Sequence, residues 1–127
     1  HLGAVFQTIG SRPPLFDAER SRARITRSYD RCFHPAGVGR QLLAVVRTPG
    51  RTPALASLRV PTLVIHGDCD PLVPLACGQA TAAAIPGARL LVLPGMGHEL
   101  PASLWPQLFT AITEHAQAAE RSFAGPR

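Results

Sequence analysis

The sequence predicts an α/β fold, and two short stretches of its 127 residues are the main basis for this prediction. Residues 62–66 (TLVIH) and 88–93 (ARLLVL) are nearly continuous apolar runs, which are typical of parallel strands covered on both faces. Between them, residues 75–85 form an alanine-rich segment that favours a helix, and Pro86 and Gly87 end it. A strand–helix–strand unit of this kind places its two strands parallel.

The first 58 residues favour helices, and no strand is predicted among them. Asp17 is a suitable N-cap for a helix over residues 18–31. Residues 33–39 (FHPAGVG) are predicted to form a loop, and residues 39–48 a second helix. The side chains expected to face inward on this second helix are Leu42, Val45 and Val46.

Two further helices are predicted from their start signals. Thr52 is expected to cap a short helix that includes residues 54–58 (ALASL), with Pro53 at its first position. Ser103 is expected to cap a last, amphipathic helix. The pattern changes from helices to strands near Arg59. We therefore divide the chain into a helical segment, residues 1–58, and an α/β segment, residues 59–127.

Charge differs between these two segments. All 13 basic residues are arginine, and ten of them precede Val60 with only three of the eight acids. A basic segment can bind nucleic acid, but no interleaved aromatic residues and no zinc-finger pattern accompany this one. We expect the arginines to form a solvated helical face, and we predict no nucleic-acid partner.

Cysteine spacing and hydropathy exclude several other classes. Cys32, Cys69 and Cys77 show no C-x-x-C spacing, and together with His66 and His98 they match no structural zinc pattern. With no charged-then-apolar leader visible, we expect reduced thiols in a cytoplasmic protein, without a metal ion or cofactor. The apolar runs are too short and too interrupted to span a membrane.

The loops that follow the two predicted strands contain side chains suited to catalysis. Asp70 follows the first strand and His98 follows the second. Because parallel strands end at one edge of a sheet, we expect these side chains to lie close together. An aspartate beside a histidine fixes the tautomer of the ring and stabilises the imidazolium that forms on protonation. Gly95 and Gly97 permit the tight turn that presents His98.

Each of these residues also has an ordinary interpretation when taken singly. Asp68 and Asp70 could cap helices, and their D-x-D spacing lacks the remaining ligands of a calcium loop. A histidine in a glycine-rich loop is commonly a solvated polar residue. The order of the two residues, acid and then histidine on consecutive strands, favours the catalytic interpretation.

The same stretches resemble a known family. HGDCDPLVP, residues 66–74, followed by PGMGHELP, residues 94–101, resembles the C-terminal part of the α/β-hydrolase fold. That resemblance implies that Asp70 is the acid and His98 the base of a Ser-Asp-His triad, with Asp68 only a neighbour. The preceding residues, from Phe33 onwards, are similar to actinobacterial esterases related to aclacinomycin methylesterase.

The resemblance implies a specific architecture and function. The fold would be the last two parallel strands of an α/β hydrolase with their helices, residues 59–127, preceded by part of a helical cap, residues 1–58. The function would be that of a serine carboxylic-ester hydrolase acting on a small-molecule ester, with the cap segment lining an apolar acyl or aromatic pocket. The substrate-binding residues and the oligomeric state stay open.

The nucleophile of such an enzyme is not recognisable in this chain. No G-x-S-x-G motif occurs in the 127 residues, so the nucleophile and the oxyanion hole are expected outside them, and the chain alone is expected to be inactive. Two alternatives stay open. One is an epoxide hydrolase or haloalkane dehalogenase with an aspartate nucleophile; the other is a non-catalytic remnant or basic binding module.

Overall fold

Two parallel strands form the sheet of the computed structural model, which describes residues 2–124. Strand β1 (Leu63–Gly67) pairs with β2 (Arg89–Leu93) in a register that sets Gly67 opposite Leu93. Helix α5 (Leu75–Ala84) connects them. The predicted strand–helix–strand unit is therefore confirmed, with boundaries within about two residues of those expected.

Four helices precede the sheet, and residues 2–58 contain no strand, as predicted. Asp17 caps the second of them, because its carboxylate accepts a hydrogen bond of 2.9 Å from the Arg20 backbone N–H. The ends of the two predicted segments, His1 and residues 125–127, lie outside the described residues. The four helices are α1 (Leu2–Ile9), α2 (Ala18–Arg31), α3 (Pro35–Arg47) and α4 (Thr52–Leu55). Thr52 is therefore the first residue of α4 instead of its cap, and the helix ends before the predicted residue 58.

Helix α3 differs from its prediction in two ways. It begins at Pro35 instead of following a loop over residues 33–39, because proline lacks the N–H that a first helical turn leaves unbonded. Its apolar residues do not face a core: Leu42 and Val45 are each 64% exposed and Val46 is 74% exposed. Among residues 2–124, no element covers this face of α3.

The last helix also begins differently from expectation. A 3₁₀ turn, Ala102–Leu104, leads into α6 (Trp105–Ala124), so Ser103 lies inside the turn instead of capping the helix. Pro101, in an extended conformation, occupies the cap position of the turn, and the Leu104 N–H donates to its carbonyl at 3.0 Å. Among the described helices, none combines the length and apolar character needed to cross a membrane.

The hydrophobic core lies between the sheet and α6. Leu93, the last residue of β2, is fully buried, and Met96 and Leu108 pack beside it. This core therefore sits directly beneath the loop that follows β2. Partly buried side chains complete the cluster: Ile65, Leu91 and Leu104.

Candidate active site at the carboxyl edge of the sheet

Two loops emerge side by side where the strands end. We call residues 68–74, after β1, the aspartate loop, and residues 94–101, after β2, the histidine loop. Because the strands are parallel and in register, the two loops leave the same edge of the sheet. They bring Asp70 and His98 into contact, with 2.7 Å between Asp70 Oδ2 and His98 Nδ1 across 28 positions of sequence.

The Asp70 carboxylate is fully engaged. Its Oδ1 accepts hydrogen bonds of 2.9 Å from the backbone N–H groups of Leu72 and Val73, while Oδ2 faces His98. Its side chain is only 7% exposed. Burial raises the pKa of Asp70, but the hydrogen bonds from Val73, His98 and Leu72 outweigh it and lower the pKa below 3.8. The carboxylate is therefore charged at neutral pH.

The two ring nitrogens of His98 have different surroundings: Nδ1 contacts Asp70, and Nε2 does not. The side chain is 43% exposed. With Nδ1 turned to the carboxylate, Nε2 lies on the far side of the ring, and no residue in the range 2–124 hydrogen-bonds to it. When Nδ1 bears the proton, Nε2 has a free lone pair and can accept a proton from another group.

Asp68 joins the two loops, a role that the sequence did not reveal. Its Oδ1 accepts a hydrogen bond of 2.7 Å from the Gly95 N–H, and the neighbouring Cys69 N–H donates to the Met96 carbonyl at 3.0 Å. Hydrogen bonds from the Cys69 thiol and from Gly95 lower the pKa of Asp68, and the bond to Asp68 raises the pKa of Cys69. Asp68 and Asp70 therefore contact different parts of the histidine loop.

A glycine permits the closest approach between the two loops. Gly67 is buried at the end of β1, and a Cβ there would overlap the Met96 carbonyl. Any larger residue would therefore push the histidine loop away from the sheet.

His66 supports the aspartate loop from within the sheet. Its Nε2 lies 2.8 Å from the Val73 carbonyl, and its ring packs on Gly78 of α5, where a Cβ would lie 2.6 Å from Nδ1. His66 thus contacts the loop that contains Asp70 but makes no hydrogen bond to Asp70 or His98 within residues 2–124.

An open apolar groove of about 1070 Å³ lies among the first three helices. Arg24 borders it, and the guanidinium of Arg24 lies 3.9 Å from the carboxylate of Glu99, the residue after His98. None of the residues that line the groove belongs to either loop, so the Arg24 side chain is what connects the groove to the histidine loop. Its main apolar lining residues are Phe6, Ile25, Tyr29, Phe33, Leu42 and Val45.

Metal ligands are not grouped anywhere in the described part of the chain. Within residues 2–124, no three His, Cys, Asp or Glu side chains cluster in a way that could hold a metal ion.

The fold and the site together define a class of protein. Two parallel strands at the end of an α/β unit, the first followed by an aspartate and the second by a histidine in contact with it, are the C-terminal part of an α/β-hydrolase fold. The chain belongs to the TAP-like protein family of the α/β hydrolases, whose family model matches residues 40–103, half of the chain.

Similar proteins agree with this membership. The chain is 40% identical over 65 residues to rhodomycin D methylesterase DauP of Streptomyces sp. strain C5, covering 51% of this chain and 22% of that protein. It is 46% identical over 48 residues to a non-heme haloperoxidase of Rhodococcus erythropolis, covering 37% of this chain and 18% of that protein. The matched segments thus span about a fifth of these curated relatives.

A solved structure extends the likeness to the fold. The structure described as Est816, an N-acyl homoserine lactone degrading enzyme, matches 76% of this chain and 39% of its own chain. The TM-score is 0.57 and the sequence identity 25%. The predicted membership of the α/β hydrolases is therefore confirmed, with esterase-like relatives.

Proposed function

We propose that this chain supplies the acid and the histidine of a carboxylic-ester hydrolase. Asp70 orients His98, and His98 is the base for a serine that lies outside these 127 residues. The observation that best supports the proposal is the 2.7 Å contact between Asp70 Oδ2 and His98 Nδ1 at the carboxyl edge of the sheet. The unoccupied Nε2 then faces the place where a substrate and a nucleophile would meet.

The chemistry follows from this geometry. As the serine oxygen attacks the ester carbonyl, its proton passes to His98 Nε2, and Asp70 stabilises the imidazolium. When the ester C–O bond breaks, His98 gives that proton to the departing alcohol. Water then attacks the acyl-enzyme, loses a proton to Nε2, and releases the acid as the serine recovers its proton.

The relatives favour ester cleavage over the two alternatives with an aspartate nucleophile, epoxide hydrolysis and haloalkane dehalogenation. DauP is named as a methylesterase, and Est816 is described as degrading a lactone, which is a cyclic ester. An elbow serine is absent from the sequence, and the buried Ser11 already accepts a hydrogen bond from the Gly97 N–H. A serine upstream of this chain would complete the triad in the order serine, aspartate, histidine.

The helical segment has a place in the same proposal. Residues 1–58 would form part of a cap over the α/β segment, residues 59–127. The apolar groove would receive the acyl or aromatic portion of the ester, since its volume of about 1070 Å³ is that of a site for a small organic molecule. The polar ester group would then lie toward the histidine loop, on the side that Arg24 borders.

The test requires the complete enzyme, meaning this chain joined to the portion that contains the nucleophile. One route is a DauP chimaera in which this chain replaces the portion with which it aligns. The enzyme should react with a fluorophosphonate probe for activated serines and hydrolyse a small ester. His98→Ala should lower kcat by about 10²- to 10⁴-fold, the usual contribution of a general base.

His115→Ala on α6 is the matched control and should retain wild-type turnover, because His115 makes no hydrogen bond to Asp70 or His98 within residues 2–124. A loss of less than about tenfold for His98→Ala would contradict the assignment of His98 as the base. Absence of probe labelling with retained ester turnover would contradict a serine nucleophile.

A further inference from the structure

The histidine loop is bonded to the start of the chain as well as to the sheet. Residues 9–12, which run from the last residue of α1 to the residue before the first proline, lie along it. The His98 N–H donates to the Ile9 carbonyl at 2.7 Å, and the Gly97 N–H donates to Ser11 Oγ at 3.0 Å. The Arg12 N–H returns a hydrogen bond of 2.9 Å to the Gly95 carbonyl. Three backbone groups beside the catalytic ring are thus satisfied by one distant segment.

Glu99, in the histidine loop, also bonds to this segment. Its Oε1 accepts a hydrogen bond of 3.2 Å from the Ser11 N–H, and its Oε2 lies 3.9 Å from Arg24 Nη2 on α2. The Glu99 side chain is only 9% exposed, although a buried carboxylate is costly unless it is paired. We call residues 9–12 together with Glu99 the clasp.

The clasp leaves the histidine loop little freedom to move. A Cβ at Gly97 would overlap the carbonyl of Gly10, so the two backbones are in direct contact. Ser11 is buried as well. The His98 ring itself is 43% exposed, and Asp70 is its hydrogen-bond partner within residues 2–124. The position of the ring therefore depends on the backbone that the clasp holds.

We infer that Ser11 and Glu99 are positioning residues, which fix the backbone of His98 so that its Nδ1 stays aligned with Asp70. This inference rests on the proposed function for its catalytic consequence. It assigns Ser11 a role distinct from that of a nucleophile, and it assigns Glu99 a role distinct from that of the triad acid. Neither side chain would touch the substrate.

Removing either side chain should displace the ring. Without Ser11 Oγ, the buried Gly97 N–H loses its acceptor, and the loop must shift to reach another one. Without Glu99 Oε1, the Ser11 N–H loses its acceptor in turn. A displacement of about 1 Å at a reacting group can lower the rate by about 10²-fold.

The experiment compares Ser11→Ala, Glu99→Ala and Glu99→Gln in the complete enzyme. Ser11→Ala and Glu99→Ala should both lower kcat by about 10- to 100-fold. Ser11→Ala should also leave KM within about threefold of wild type, since Ser11 does not line the binding groove. Glu99→Gln retains an oxygen that can accept from Ser11, so it should restore most of the loss. Glu114→Ala, on the exposed face of α6, is the matched control and should behave as wild type.

A spectroscopic readout separates positioning from general destabilisation. The proton shared by His98 Nδ1 and Asp70 should give a low-field ¹H resonance in the wild type, and Ser11→Ala and Glu99→Ala should shift or broaden it while Glu99→Gln preserves it. If Ser11→Ala does not fold, the comparison of Glu99→Ala with Glu99→Gln tests the inference by itself. An unchanged resonance and unchanged kcat in Glu99→Ala, or equal losses in Glu99→Ala and Glu99→Gln, would overturn the inference.

The two proposals fail in different ways. If His98→Ala keeps its turnover, the proposed function is wrong, and the resonance alone then tests the clasp. If His98→Ala is inactive while the Ser11 and Glu99 variants match wild type in both readouts, only the clasp is wrong.

Discussion

In the proposed site, each oxygen of Asp70 has a separate hydrogen-bonding role. Oδ1 is held by the Leu72 and Val73 N–H groups, which fix the carboxylate on its own loop. Oδ2 is left to face His98 at 2.7 Å. A carboxylate anchored in this way can orient the ring without moving itself. Asp68, two residues earlier, instead faces Gly95.

Acid should destabilise the protein in part through Asp70. Its folded-state pKa lies below the ordinary value of 3.8, so the unfolded chain takes up this proton first as the pH falls. The contribution of Asp70 to the free energy of unfolding is therefore complete above about pH 5 and declines as the pH falls through 3.8 and through the lowered folded pKa. Urea titrations of the complete enzyme from pH 2.5 to 7 would measure this slope.

Asp70→Asn is the variant that isolates this effect. Its amide oxygen can still accept from Leu72 and Val73, but it does not titrate, so its stability should fall less steeply below pH 4 than that of the wild type. Equal slopes for the two proteins would contradict a lowered pKa for Asp70.

Sequence reasoning reached Asp70 and His98 for a physical reason. Parallel strands place the loops after them at one edge, so a pair separated by 28 positions becomes predictable once both strands are recognised. Ser11 lies 86 positions from Gly97 and outside any strand, and no periodicity links the two. Contacts between a terminal segment and a distant loop depend on tertiary packing, which local patterns do not encode.

At the scale of elements, strands and helices differed in how well they were predicted. The strands were recognised because short apolar runs bounded by proline and glycine are typical of buried strands. The start of α3 was wrong because Pro35, Gly37 and Gly39 suggest a loop, yet proline suits a first turn. The prediction that Leu42, Val45 and Val46 of α3 face inward was also wrong. An apolar stripe indicates a face that can be buried, but it does not indicate which element covers that face.

The contact between the two loops can be tested at a single glycine. Gly67→Ala should lower the free energy of unfolding by about 1–3 kcal/mol, because its Cβ would overlap the Met96 carbonyl and force the loop to move. Gly39→Ala, in α3, is the matched control. Apart from its chain neighbours and its own helix backbone, no atom of the described residues lies within 4 Å of a Cβ there, so the change should stabilise the protein by about 0.5–1 kcal/mol.

Urea denaturation of the complete enzyme would measure both changes. A Gly67→Ala variant as stable as wild type would show that the loops are not packed as tightly as the structure has them.

On the scale of the whole molecule, the described residues form a small hydrophobic core and leave many large apolar side chains exposed. The buried cluster consists of Leu93, Met96 and Leu108, and a two-stranded sheet, in which each strand has an unpaired outer edge among the described residues, is marginal in water. Helix α3 adds an uncovered apolar face. An open strand edge and an exposed apolar helix face can both pair with another copy of the chain.

The isolated chain should therefore not behave as a stable monomer. In sedimentation velocity it should appear as species larger than 13.5 kDa, and it should melt without a sharp transition. Val46→Glu, at a position that is 74% exposed, should reduce the association. A monomer with a cooperative thermal transition would contradict this expectation.

The most direct test of the central claim, that Asp70 and His98 act as one catalytic unit, is a double-mutant cycle on kcat/KM for an ester. The complete enzyme would be compared with Asp70→Asn, His98→Ala and the double variant. Once His98 is absent, Asp70 has no ring to orient, so the double variant should be within about threefold of His98→Ala. If the residues act independently, the losses multiply: kcat/KM of the double variant would then fall below that of His98→Ala by the same factor that Asp70→Asn alone produces. That result would contradict the claim.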